Sequence, residues 1–186
     1  KATALAVSLR KNDWEVIHDL SPEGTDLEKG LRENPDALCI WCPEGNDLST
    51  FFWQEEVQSY VQDGGTLILS AHGPLSMENW FPEEDTAVTW SGWDIDATRK
   101  TVSVQSGDWL KGPHNFEAVI QGGITPSSGY QPASSEWEIL ASLSMNDGTV
   151  FPFLMRRSYG KGQIILTSSD FGAGGGFEVF GSQNPD

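Results

Sequence analysis

The stretch that decides the fold runs from Trp53 to Pro74, WQEEVQSYVQDGGTLILSAHGP. Trp53, Val57, Tyr60 and Val61 recur at spacings of three and four, which puts them on one face of a helix. Gly64 and Gly65 follow at once, and glycine past the last helical turn supplies the left-handed residue that closes a helix. Thr66-Leu67-Ile68-Leu69-Ser70 is then a nearly continuous apolar run, as in a strand covered on both faces of a parallel sheet. Gly73-Pro74 breaks that strand directly after His72. In an α/β sheet, ligands and catalytic groups collect just beyond the carboxyl ends of the strands. His72 holds such a position and is the leading functional candidate.

The flanking sequence extends the pattern. Ala2 to Arg10 is helix-prone, Trp14 to His18 reads as a strand, and a short helix is expected over Leu27 to Arg32. Ala37 to Cys42 is a second strand stopped by Pro43, and Ser49 or Thr50 can cap the helix that follows. Helix and strand alternate through the first seventy residues, the pattern of a parallel sheet with crossover helices. The second half is richer in hairpins. Met77 to Phe81 predicts one helical turn; Ala87 to Asp94 and Thr101 to Val104 predict the strands of a hairpin or small insertion. Asn115 to Gln121 and Glu136 to Ser142 read as extended, and Asn146-Asp147-Gly148 is a turn. Val150 to Arg156 and Gln163 to Ser168 then flank Tyr159-Gly160-Lys161-Gly162, a β-hairpin by its glycines.

Composition narrows the function. The 186 residues suit one domain over 1–186, and a hydrophobic fraction of 38% describes a globular chain. A net charge of -16 argues against nucleic acid, whose phosphates demand clustered Lys and Arg, and against anionic membrane surfaces. Such charge serves solubility or suits a cation-rich setting, so a secreted or periplasmic location is favoured over a cytoplasmic one. No apolar run approaches the roughly 20 residues of a membrane span. Cys39 and Cys42 lie in a strand-like DALCIWCP, where a spacing of three turns their side chains to opposite faces. They are expected to be thiols, with Cys39 in the core, and no second ligand pair stands at zinc spacing. The chain opens with a helix and ends in SQNPD without a closing helix, so it is expected to be part of a longer polypeptide.

Three segments together, DALCIWCPEGNDLS, VQSYVQDGGTLILSAHG and WEILASLSMNDGTVFPFLMRRSYGKGQIILTSSDF, resemble the class I glutamine amidotransferase-like superfamily. The resemblance is strongest to its ThuA-like branch and to related non-catalytic domains of sugar-processing proteins. It rests on Tyr60, Val61, Gly64, Gly65 and Leu67, and on Pro152, Gly160, Gly162 and Ile164, and spans roughly residues 13 to 171. It implies a flavodoxin-like three-layer α/β sandwich with a mostly parallel central sheet. In the active amidotransferases a cysteine nucleophile sits on the elbow after the strand that ends here at Ser70. This elbow reads Ser70-Ala71-His72-Gly73-Pro74, and no histidine stands near Ser168 to Phe171, where the family's base would fall. A thioester mechanism without thiolate and base has no working parts, so glutaminase activity is not expected. The ThuA-like branch also carries histidine at the elbow.

His72 can act as acid, base or metal ligand; the alternative is a histidine that hydrogen-bonds loop backbone. Glu44, beyond the neighbouring strand, offers a carboxylate for acid–base work, and Asp170, beyond a third strand, can complete the cluster. Cys42 and Trp80 are candidate ligand contacts. Gly172 to Gly176 lacks the ending of a phosphate loop and reads as a flexible tail. Asp94 and Asp96 share a strand face, but nothing else completes a calcium site. Trp90, Trp93 and Trp109 can form an aromatic surface, with core packing the alternative. His18 and His114 have no partner by spacing. No cofactor and no metal are expected. Other domains or subunits of a larger protein are the expected partners, with a small sugar-like ligand as a further one. The expected function is a non-catalytic scaffold, oligomerisation or weak ligand-binding domain of a carbohydrate-related protein. The alternative is a ThuA-like enzyme acting on a sugar or sugar derivative through His72 and a nearby carboxylate.

Overall fold

A computed structural model describes residues 30–32, 35–42, 54–71, 77, 81–83, 87–90, 100–104, 129–145 and 148–167. Within these residues the elements are β1 (Ala37–Cys42), α1 (Gln54–Gln62), β2 (Thr66–Ala71), β3 (Val88–Trp90) and β4 (Lys100–Val104). They continue as β5 (Tyr130–Pro132), β6 (Glu138–Met145), β7 (Val150–Tyr159) and β8 (Gly162–Thr167). Residues 30–32 are helical, at the end of the helix expected there.

Six strands form one mixed sheet in the order β1-β2-β8-β7-β6-β4, and β3 pairs with β5 separately. β1, β2 and β8 run parallel, whereas β8-β7, β7-β6 and β6-β4 are antiparallel. The fold is α/β, with its parallel character concentrated in β1, β2 and β8. β6 slips register around Ala141, a bulge that bends the antiparallel half.

α1 forms where the apolar spacing placed it. Val57, Tyr60 and Val61 are buried, and Glu55 and Glu56 stand in the first turn, where negative charge complements the helix dipole. Its stop is a Schellman motif. The Gly65 N–H donates to Tyr60 C=O at 2.9 Å and the Gly64 N–H to Val61 C=O at 3.1 Å. Gly64 takes a φ of 126°, which an L side chain resists. The helix lays Val57 and Val61 on the sheet face made by Leu67 and Leu69 of β2 and Ile164 and Leu166 of β8. Tyr130, Trp137, Met155 and Phe81 enlarge this core. Full burial of one such side chain contributes about 1.5–3 kcal/mol.

The β7–β8 hairpin turns through Gly160, at a φ of 59°, and docks on the end of α1. The Lys161 N–H donates to Gln62 C=O at 3.0 Å and the Gln163 N–H to Gly65 C=O at 3.2 Å. The two glycine phrases are therefore two sides of one close contact. A Cβ on Gly65 would enter the Tyr60 ring, and one on Gly162 would meet the Val61 and Gly65 carbonyl oxygens.

Several expectations change. The segments containing β3 and β4 do not form a hairpin with each other: β3 pairs with β5, and β4 pairs with β6. Cys39 is a free thiol, as expected, but it is exposed rather than in the core. Alternation along β1 explains this, because Leu38 and Ile40 take the face that packs on the core. Phe81 N–H donates to Met77 C=O at 2.8 Å, joining the two ends of the segment where one helical turn was expected; residues 78–80 lie outside the described residues. The helix expected over 2–10 and the strand over 14–18 lie outside the described residues, as do Ser49, Thr50 and Asn115 to Gln121. Among the described residues no helix is long and apolar enough to cross a membrane.

Candidate functional site

The parallel register fixes the sheet edge on which the candidates were placed. Cys42 pairs with Ala71 across β1 and β2, and Ser70 pairs with Thr167 across β2 and β8. The three strands thus end level with one another. In sequence, His72 is one residue beyond Ala71, Glu44 two beyond Cys42 and Asp170 three beyond Thr167. In open α/β sheets, ligands bind beyond the carboxyl ends of the parallel strands. Close to this edge, Leu69 and Leu166 are fully buried and Thr167 is 3% exposed, so the strands reach it from a dry core.

His72, Glu44, Asp170 and Trp80 lie outside the described residues, as do His18, His114, Asp94, Asp96, Trp93, Trp109 and the glycine-rich stretch 172–176. Cys42 is placed by its backbone at the end of β1. Among the described residues, no group of three or more His, Cys, Asp and Glu is arranged to hold a metal ion.

Sequence reasoning missed a polar cluster at the opposite end of the strands. The Tyr159 hydroxyl donates to Glu83 Oε1 at 2.9 Å and accepts from Gln58 Nε2 at 2.8 Å and Gln62 Nε2 at 3.3 Å. Its ring meets Phe81 edge-on, with centroids 4.7 Å apart at 72°. Burial raises the Tyr159 phenol above its ordinary value of 10, and the Glu83 carboxylate adds to the rise against the two glutamine donors. Tyr60 forms a second lock, donating to Pro35 C=O at 2.9 Å, and burial raises its phenol as well. These locks join α1, β7 and the 81–83 segment; they build the scaffold under the site. The i, i+4 glutamines at Gln58 and Gln62 were the available signal, because such spacing aims both amides at one point.

A search of family models found no match, and a search of curated proteins found none either. Solved structures do match. Two cytoplasmic proteins of Salmonella typhimurium share 17% and 18% identity at TM-scores of 0.57 and 0.52. Each alignment covers 97% of this chain and, respectively, 81% and 80% of the other. A ThuA-like protein from Bacteroides uniformis shares 13% identity at a TM-score of 0.50, over 92% of this chain and 75% of its own. The chain spans only 22% of the length of a β-galactosidase from Rahnella sp. R3, at a TM-score of 0.46. At these identities the likeness speaks to architecture alone, and the architecture it establishes for this chain is the ThuA-like α/β fold.

Proposed function

We propose that this chain is a non-catalytic ThuA-like domain of a larger, carbohydrate-related protein, with a scaffold, oligomerisation or weak ligand-binding role. One observation carries the reading. The elbow after β2 reads Ser70-Ala71-His72-Gly73-Pro74, with no cysteine nucleophile, and Ser168-Ser169-Asp170-Phe171 after β8 offers no histidine base. Acyl transfer through a thioester requires both groups. The test is ammonia release from glutamine by the purified chain; release above background would sink the reading's central claim.

A second reading is favoured by the histidine at that elbow and by the level ends of β1, β2 and β8. On it, the chain is a ThuA-like enzyme acting on a sugar or sugar derivative, with His72 and Glu44 or Asp170 exchanging a proton with the substrate. A thermal-shift screen against sugars, nucleotides and divalent metals separates the two. A ligand that binds only the folded state raises the melting temperature. A shift lost in His72→Ala makes His72 a site residue, as the enzyme requires; no shift with any ligand supports the scaffold.

A further inference from the structure

We draw no further inference here: the strongest candidate, the sheet face turned away from α1, where exposed Cys39 and half-buried Ile68 and Ile165 stand in one register row with the Arg156–Glu138 ion pair, carries nothing because nothing in the structure shows what covers it.

Discussion

Replacing Gly162 by alanine tests the tightest join in the molecule. Gly162 has no positive φ, so alanine there carries no conformational cost of its own. The cost is steric: the new Cβ would meet the Val61 and Gly65 carbonyl oxygens and lie 3.0 Å from the Gly64 carbonyl carbon. These are backbone atoms of the α1 stop and cannot swing aside as a side chain would. Relief requires the hairpin to back away from α1, which stretches the Lys161-to-Gln62 and Gln163-to-Gly65 hydrogen bonds, now 3.0 and 3.2 Å. Overpacking costs about 1–3 kcal/mol and each lost hydrogen bond about 1, so the total loss is about 3–5 kcal/mol. Gly148→Ala is the matched control: its φ is 87° and nothing lies within 4 Å of a new Cβ. That change carries only backbone strain, about 1–2 kcal/mol. Urea unfolding followed by tryptophan fluorescence and far-ultraviolet circular dichroism measures both, with midpoints falling at unchanged slope. In melting temperature, the Gly162 loss corresponds to roughly 6–20 °C for a chain of this size. A Gly162→Ala loss no greater than that of Gly148→Ala would refute the reasoning.

Leu67→Ala, at a fully buried position between α1 and the sheet, is expected to cost about 2–5 kcal/mol in the same titration. Glu138→Gln removes an ion pair whose side chains are 36% and 48% exposed, so its effect is expected within about 1 kcal/mol and smaller in high salt. Burial raises the Tyr60 and Tyr159 phenols above 10 in the folded chain. The unfolded chain therefore loses these protons first as pH rises, and this contribution is fully present below pH 10 and lost as pH climbs through the folded values. Unfolding midpoints across the alkaline range should fall above pH 10, and less steeply in Tyr159→Phe; absorbance of the phenolate marks the titration itself.

Local elements were legible where two signals agreed. β1 spans Ala37–Cys42 as expected, because an apolar run met Pro43. α1 and β2 followed from helical spacing, the double glycine and a second apolar run. The hairpin at Gly160 was legible because a two-residue turn needs a positive φ. Strand partners were not legible. Val88 pairs with Pro132 and Lys100 with Met145, and nothing in a short strand's own residues specifies a partner more than forty positions away. The exposure of Cys39 was hidden for a similar reason, since a continuous apolar run does not reveal which face meets the core. The level carboxyl ends of β1, β2 and β8 were legible from the apolar runs and the glycine and proline stops after the first two.

The join between α1 and the β7–β8 hairpin also bears on the order of assembly. β6, β7 and β8 form a meander of neighbouring strands, whereas Thr66 of β2 must find Gln163 of β8 across 97 intervening steps of chain. Short loops close sooner and at lower entropic cost than long ones. The meander is thus the natural nucleus, and capture of β2 with α1 is the late, slow event. Substitutions that weaken pairing within the meander should slow refolding, while Gly162→Ala, whose clash is with the α1 stop, should chiefly accelerate unfolding, a kinetic division that stopped-flow measurements can resolve.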